Sequence, residues 1–306
     1  MRYLRLVVHP HRPVAAEHAA MVIERLASAD VAVLVDRGTA AALPDGIPAV
    51  VEDPEEVPAR ETELVVVLGG DGTILRGAEL SRGSGAPLLG INLGHVGFLA
   101  ESEREDLDDT IERILDRDYT VQDRMTLEVV GLLDGVEIAR SWALNEATVE
   151  KAARERMLEL TVEIDGRPLS TWGCDGVVMA TPTGSTAYAF SAGGPVMWPD
   201  LEAMLLVPIS AHALFARPLV ISPDSVIAIE VMARTEGNGV LWCDGRRAVD
   251  LPPGARVEVR RSGQPVRLAR LNDSPFTDRL VRKFQLSVHG WRGAPDAGEE
   301  PGGTPP

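Results

Sequence analysis

The sequence has few cysteines and few aromatic residues. Cys174 and Cys243 are the two cysteines among 306 residues, and neither belongs to a CxxC pair or has spaced histidine partners. A disulfide framework and a zinc site are therefore both disfavoured, and two reduced thiols in a cytoplasmic protein are expected. Because aromatic residues make up 4% of the chain, its core must be built mainly from Val, Leu, Ile and Ala.

The chain also lacks an excess of positive charge, since its formal net charge is -16 at pH 7. Nucleic acid and anionic membranes need a positive field, so neither is expected as a partner. A phosphate compound could still be bound locally by backbone amides, by a few arginines or lysines, or by a metal ion.

No signal peptide is recognised in "MRYLRLVVHPHRP". The apolar segment 203–221 contains two prolines, a histidine and an arginine, and so predicts two short buried elements instead of a membrane span.

The first third of the chain alternates apolar runs with helical spacing. Strands are predicted over 3–9, 31–36, 64–68 and 86–92, with a helix over 13–30. Continuous apolar strands separated by helices indicate a parallel sheet covered on both faces. An acidic amphipathic helix is predicted over 102–118, with Ser102 and Glu105 as a capping box.

The character changes after residue 122 to strand-like runs separated by Asp-Gly turns at 134–135 and 165–166. Further strands are predicted over 176–180, 219–221, 226–232 and 256–260. The sequence therefore predicts an α/β N-terminal domain with a parallel sheet over 1–122 and a β-rich domain over 123–273. The segment 274–290 is expected to return to the first domain, and 293–306 to be a disordered tail.

One glycine-rich turn contains a carboxylate. In "ELVVVLGGDGTILRGAEL" (63–80), Asp71 stands between glycines where a strand gives way to a helix. Glycines and free N–H groups at a helix start suit a bound phosphate, but the spacing is not that of a Walker P-loop. Beside a polyphosphate, Asp71 could take the proton from an attacking hydroxyl. The alternative is that Asp71 only caps a helix beginning near Thr73.

Three further stretches carry polar residues next to strands. "GINLGHVGFLAE" (90–101) predicts a second glycine turn beside the first, at the sheet edge where open α/β sheets bind ligands. "LNEATVEK" (144–151) has Asn145 and Glu146, which could bind ribose hydroxyls. "CDGVVMATPTGSTAYAFSAGGPV" (174–196) offers hydroxyls and amides for ribose and phosphate, and Tyr188 could face a base. Each of these stretches, taken alone, could also be an ordinary surface turn.

Together these stretches resemble the NAD kinase family, of the bacterial type that uses ATP or polyphosphate. The resemblance extends to "CDGRR" (243–247). The motif "GGDGT" is shared with diacylglycerol, sphingosine and phosphofructo-kinases, whereas the long Thr/Ser stretch together with the Asn-Glu pair is typical of NAD kinases. A lipid kinase and a non-catalytic NAD sensor remain the alternatives.

The resemblance implies transfer of the γ-phosphoryl of ATP, or of polyphosphate, to the 2′-hydroxyl of the adenosine ribose of NAD, which gives NADP. An acidic protein would obtain charge neutralisation from Mg²⁺ bound with ATP. Family members have an α/β domain and a β-rich domain with the site between them. A cytoplasmic homodimer or homotetramer is expected.

The resemblance also implies roles for particular residues. Asp71 would accept the proton, Gly72 would contact NAD and Arg76 would lie near phosphate. Asn145 and Glu146 would bind ribose, while Arg156 and Asp175 would face the dinucleotide. The wall of the NAD site would be Thr186, Ala187, Tyr188, Ala189, Phe190 and Ser191. Arg246 is a possible ligand contact, because many bacterial relatives have a ligand-facing Gln there, and His95 is given no catalytic role.

Overall fold

The computed structural model describes residues 1–9, 13–52, 62–93, 97–103, 106–153, 157–272 and 275–288. The helices are α1 (Pro13–Ala27), α2 (Arg37–Ala42), α3 (Asp71–Ser84), α4 (Leu107–Asp116), α5 (Tyr188–Ser191) and α6 (Phe276–Phe284). The strands are β1 (Arg2–Val8), β2 (Val31–Val35), β3 (Ala49–Val51), β4 (Leu64–Leu68), β5 (Leu88–Asn92), β6 (Ser102–Glu103), β7 (Thr120–Arg124), β8 (Leu127–Leu133), β9 (Val136–Ala143), β10 (Glu146–Lys151), β11 (Leu158–Ile164), β12 (Arg167–Cys174), β13 (Gly176–Ala180), β14 (Met204–Ile209), β15 (Leu219–Ile221), β16 (Ile227–Val231), β17 (Gly239–Cys243), β18 (Arg247–Leu251), β19 (Ala255–Arg261) and β20 (Val266–Arg270).

The first domain is built on a sheet of order β3-β2-β1-β4-β5-β20-β7, with β6 added to β5. Its central strands pair in parallel and read as apolar runs because both faces are covered. Helices α1 and α4 cover one face, where Ile23 and Ile111 pack with Leu4. Helix α3 covers the other, where Ile74 and Val67 share a buried cluster. The predicted parallel sheet is confirmed, with β7 as an antiparallel addition.

The second domain consists of two antiparallel sheets, of order β15-β14-β13-β10-β17-β18 and β12-β11-β16-β19-β8-β9. Apolar side chains from both sheets form one buried cluster, in which Val149 and Val177 meet Leu160 and Val257. Successive side chains of a strand point to opposite faces of its sheet, so every second side chain points into the space between the two sheets. The predicted β-rich domain is thereby confirmed.

Asp-Gly pairs make the tight turns of this domain. Asp134 and Asp165 have φ angles of 51° and 53°, and the glycine after each also has a positive φ, as the two-residue hairpin turn requires. A third pair, Asp244 and Gly245, joins β17 to β18 with φ angles of 52° and 61°. This third turn becomes part of the functional site.

The helix predicted over 102–118 is shorter than expected and begins at Leu107. Ser102 does not cap it, because residues 102–103 form β6 and pair with the end of β5. The Ser102 hydroxyl instead lies 2.7 Å from Thr110 Oγ1. Strand pairing therefore takes the place of the expected first helical turn. Glu105, the other half of the predicted capping box, lies outside the described residues, as does the predicted tail.

The chain returns to the first sheet earlier than the sequence indicated. Strand β20 pairs in parallel with β5 and antiparallel with β7, although residues up to 273 were assigned to the second domain. Helix α6 follows, as predicted. Within the described ranges, no helix is long and apolar enough to cross a membrane. The apolar segment 203–221 instead contributes β14 and β15.

Candidate functional site

Asp71 lies at the carboxyl edge of the parallel sheet. Strand β4 ends at Leu68, Gly69 and Gly70 make the turn, and α3 begins at Asp71 itself. A side chain at position 69 would clash with Thr73, since an added Cβ would lie 2.8 Å from the Thr73 Cβ. The turn therefore needs glycine to bring the strand directly into the helix.

The second glycine turn holds the Asp71 carboxylate. The N–H of Phe98 donates to Asp71 Oδ2 at 3.3 Å, and the N–H of Leu99 donates to Oδ1 at 3.2 Å. The predicted adjacency of the two turns is therefore confirmed. The N-cap of α3 is Gly70, and no side chain caps it. Asp71 thus does not have the capping role that was the alternative reading of this motif.

Asn145 and Glu146 stand where β9 passes into β10, and both are buried. The Asp244 carboxylate accepts hydrogen bonds from three consecutive backbone N–H groups, at 3.0 Å from Leu144, 2.7 Å from Asn145 and 3.4 Å from Glu146. Arg247 donates to the same carboxylate at 2.9 Å. This network fixes the backbone that presents the Asn-Glu pair. Burial is the main cause that raises the pKa of Asp244, with the hydrogen bonds opposing it.

Glu146 has a strongly shifted pKa. Burial, followed by the charge of Asp244, raises the pKa of Glu146 to about 8, although a hydrogen bond from the backbone of Tyr188 opposes the shift. Its Oε2 atom is buried and has no partner among the residues that the structure describes. A protonated carboxyl group with an unused oxygen is suited to a ligand hydroxyl.

The Thr/Ser stretch packs directly on this pair. After β13, Thr181 donates its hydroxyl to the Leu144 carbonyl at 2.6 Å. A Cβ at Gly184 would lie 2.8 Å from Asn145 Cα and closer still to the Asn145 carbonyl, so only glycine permits this approach. The Ser185 hydroxyl accepts from the N–H of Met197 at 2.9 Å and donates to the Pro182 carbonyl at 2.7 Å.

The predicted wall, Thr186 to Ser191, begins at the last residue of a 3₁₀ turn (Thr183–Thr186) and continues through α5. Ala189 is fully buried beneath it, whereas Tyr188 and Phe190 are 37% and 41% exposed. The Tyr188 hydroxyl donates to Glu150 Oε2 at 3.4 Å. The wall therefore presents aromatic surface beside the buried Asn-Glu pair.

Packing between the domains brings the motifs together. Leu144, directly before Asn145, shares a buried cluster with Ile74 of α3 and with Leu99, whose N–H donates to Asp71. Arg82 of α3 and Arg247 of the second domain both stack on the Trp142 ring, at 4.4 Å and 4.7 Å from its centroid.

Helix α6 spans the two sides of the site. The Phe284 ring lies 5.7 Å from that of Phe98 in the first domain and 4.6 Å from that of Phe190 in the second. Phe276, at the other end of the helix, lies 5.3 Å from Trp198 in an edge-on contact. The helix therefore links the loop that holds Asp71 to the Thr/Ser wall.

The chain is similar in sequence to proteins of known families. Residues 4–119 match the ATP-NAD kinase N-terminal domain, and residues 144–271 match the ATP-NAD kinase C-terminal domain. The chain belongs to the NAD kinase family. A protein described as NAD kinase from Leifsonia xyli subsp. xyli is 60% identical over 296 residues, which cover 95% of this chain and 97% of that protein. The chain is thus an enzyme of this family, as the resemblance implied.

Two solved structures share the fold of the chain. Yeast NADH kinase complexed with NADH superposes with a TM-score of 0.84 at 24% identity, covering 94% of this chain and 88% of that one. An NAD kinase from Archaeoglobus fulgidus in complex with ATP gives a TM-score of 0.69 at 25% identity, covering 94% and 100%.

Several residues carried over from the NAD kinase resemblance have protein partners in the structure. Arg76 pairs with Asp36 at 2.7 Å, at the end of β2. Asp175 pairs with Lys151 at 2.5 Å. Gly72 is exposed on the first turn of α3. Arg156 and His95 lie outside the described residues.

The "CDGRR" arginines bind helix α3. Arg246 donates from Nε to Glu79 Oε1 at 3.1 Å, and Arg247 also pairs with Glu79. Arg246 therefore joins the two domains, with its guanidinium directed at Glu79.

Sequence reasoning gave no role to two polar residues of the site. Asp244 is one, and the Asp-Gly pair after an apolar strand was the signal that could have placed it in a hairpin turn. Arg279 of α6 is the other: it donates to the carbonyls of Phe98 and Ala100 at 3.1 Å and 3.2 Å. No local pattern marks Arg279, because its partners lie far away in sequence.

Proposed function

We propose that this chain transfers the γ-phosphoryl of ATP to the 2′-hydroxyl of the adenosine ribose of NAD, forming NADP. The observation that carries the proposal is the Asp71 carboxylate, which the N–H groups of Phe98 and Leu99 hold at the sheet edge. Leu99 shares a buried cluster with Leu144, the residue before Asn145. A carboxylate fixed in this way is already oriented for a substrate hydroxyl, so less side-chain entropy is lost on reaching the reactive geometry.

Asp71 is the proton acceptor in this proposal. A ribose hydroxyl is a poor nucleophile, and one positioned base contributes roughly 10²–10⁴-fold to the rate. The N–H groups of Phe98 and Leu99 orient the carboxylate while leaving its remaining lone pairs for the hydroxyl proton. The remaining rate acceleration must come from holding donor and acceptor in line.

The Asn-Glu pair and the Thr/Ser wall would bind NAD. Because burial keeps Glu146 protonated up to a pH of about 8, its carboxyl group can donate a hydrogen bond to a ribose oxygen. Residues Thr186 to Ser191 would form the wall, and the exposed ring of Tyr188 would lie against an aromatic ring of the dinucleotide. Gly72, Arg76, Arg156 and Asp175 are proposed as further contacts, with Arg246 as a possible one.

Magnesium would enter with ATP. In the described part of the chain, no cluster of three or more His, Cys, Asp or Glu side chains could hold a metal ion by itself. Mg²⁺ keeps water and phosphate oxygens as most of its ligands, so it needs few protein carboxylates. When bound, it would supply charge neutralisation for the transferring phosphoryl group. Polyphosphate remains the alternative donor, and a cytoplasmic homodimer or homotetramer remains the proposed form.

The test is turnover. The purified chain is mixed with NAD, ATP and Mg²⁺, and NADP is followed with an NADP-specific dehydrogenase. Asp71→Asn is expected to lower kcat by roughly 10²–10⁴-fold while NAD binding persists. Asp109→Asn, at an exposed acid on α4, is the matched control and should keep wild-type activity.

Three other outcomes would change the proposal. If no NADP forms with ATP, polyphosphate is supplied in its place, and turnover then would make polyphosphate the donor. If no NADP forms with either donor although NAD binding is measurable, the chain would be a non-catalytic NAD sensor. Phosphorylation of sphingosine or diacylglycerol without NADP formation would indicate a lipid kinase.

A further inference from the structure

A cavity of about 270 Å³ lies between β7, β20 and α6, and neither the Asn-Glu pair nor the Thr/Ser wall lines it. Three arginines line it, one from each of these elements, and three aromatic residues complete its walls: Arg124, Arg270, Arg279, Phe98, Trp198 and Phe276. We call it the arginine pocket. A concentration of cationic side chains is notable in a chain with a formal net charge of -16.

Arg124 is the unusual member. Its side chain lines the pocket but the residue is only 4% exposed. Its Nε and Nη1 atoms are buried and have no hydrogen-bond partner among the described residues. A buried guanidinium with unused donors is costly unless a partner arrives, because water can no longer solvate it.

The charges around Arg124 favour an anion. Burial, then Arg270 and Arg279, lower the pKa of Arg124 to about 10, so Arg124 remains cationic near neutral pH. Glu101 neutralises only part of this charge, pairing with Arg270 at 2.7 Å and with Arg279 at 2.5 Å. Asp200 also lines the pocket. Among the described residues, Glu101 and Asp200 are the carboxylates that act on Arg124, and the Nε and Nη1 donors of Arg124 remain unused.

We propose that the arginine pocket binds an oxyanion of the phosphate class. Its several acceptor oxygens can take the free donors of Arg124 and further donors from the pocket at the same time, whereas a carboxylate has only two oxygens. The planar arginine fork matches phosphate oxygens in pairs. The walls formed by Phe98, Trp198 and Phe276 shield these charge-assisted bonds from water.

The arginine pocket is separate from the proton-accepting carboxylate but adjoins its support. Phe98 lines the pocket, while its backbone N–H donates to Asp71. Arg279 lines it too and donates to the Phe98 and Ala100 carbonyls. A bound oxyanion would join β7, β20 and α6, and so would stiffen the loop that orients Asp71.

Binding is tested on the full chain saturated with NAD, by calorimetric titration with orthophosphate. Arg124→Gln should weaken orthophosphate binding by at least about tenfold, because it removes the unpaired guanidinium. Arg260→Gln removes an exposed arginine of β19 that pairs with Glu128 of β8, and should leave the affinity unchanged. Asp71→Asn should also leave it unchanged, which separates this site from the phosphoryl-transfer site and from the outcome of the turnover test.

Two sources of phosphate are distinguished by the KM for ATP. If Arg124→Gln raises the KM for ATP by about tenfold, the arginine pocket binds phosphate groups of ATP. If the KM for ATP is unchanged, the ligand is a free oxyanion. A direct check that needs no variant is a tungstate soak of wild-type crystals, with an anomalous peak expected between Arg124 and Arg279. Equal orthophosphate affinity of folded Arg124→Gln and wild type, or a pocket without tungstate, would overturn the proposal.

Discussion

The Asp71 carboxylate fills the space that a side chain at position 97 would need. A Cβ added to Gly97 would lie 2.9 Å from Asp71 Cγ and closer still to Oδ1. The same loop donates two backbone hydrogen bonds to this carboxylate. The two glycine-rich turns therefore act together: the second turn fixes the position of Asp71, which belongs to the first.

Gly97→Ala should displace the carboxylate and lower kcat. A displacement of about 1 Å in a reacting group can cost roughly 10²-fold, and a loss of this order is expected in NADP formation. Gly83→Ala is the control, because an added Cβ on that residue of α3 meets nothing within 4 Å. Equal losses in the two variants would contradict this account.

Asp244→Ala should destabilise the chain and weaken NAD binding. The substitution leaves the N–H groups of Leu144, Asn145 and Glu146 without their acceptor. Each buried donor left unsatisfied costs about 1–3 kcal/mol, so the free energy of unfolding in urea should fall by at least that much. Asp250→Asn, at an exposed acid on the same hairpin, should change neither stability nor the KM for NAD.

Glu146 should make stability depend on pH. Its pKa in the fold, about 8, is raised above the unfolded value of 4.5. The stabilisation that the protonated carboxyl group gives is therefore fully present below the unfolded pKa and is lost as pH rises through the folded pKa. Glu146→Gln removes this dependence.

The measurement is the difference in unfolding free energy between Glu146→Gln and wild type. Between about pH 5 and about pH 8 it should shift in favour of the variant by on the order of 1 kcal/mol per pH unit. Glu137→Gln, at an exposed position on β9, should give no such slope. A flat difference for Glu146→Gln would mean that this carboxyl group is ionised in the fold.

Arg279 should act as a positioning residue. It fixes the Phe98 and Ala100 carbonyls and pairs with Glu101, and thereby orders the loop whose N–H groups hold Asp71. Arg279→Gln should lower kcat by about tenfold with a smaller change in the KM for NAD.

A change in NAD affinity at constant kcat would contradict the positioning role of Arg279. Lys283→Gln, at an exposed position of the same helix, is the control and should retain wild-type kcat. Arg279→Lys tests the geometry, because a single ammonium group cannot reach both carbonyls and Glu101 as a guanidinium does. It should recover only part of the lost activity.

Much of this protein follows from patterns that are local in the sequence. The run Leu64 to Leu68 predicts a strand buried on both faces, and the following glycines predict a turn that delivers Asp71 to the sheet edge. The Asp-Gly pair at Asp134 predicts a hairpin because it can adopt positive φ. Neighbouring residues alone decide these features, so one sequence suffices to predict them.

The tertiary structure alone decided which distant residues support the site. Leu144 packs beside Ile74, Asp244 receives the N–H groups before β10, and Arg279 reaches the Phe98 carbonyl. Two further features depend on contacts between distant segments: the pairing of β20 with β5, and the strand at Ser102 in place of a helical turn. These contacts join segments far apart in the chain, and a local pattern carries no information about which of many compatible partners will meet. Only the folded packing, which buries the most apolar surface with its polar groups paired, selects among them.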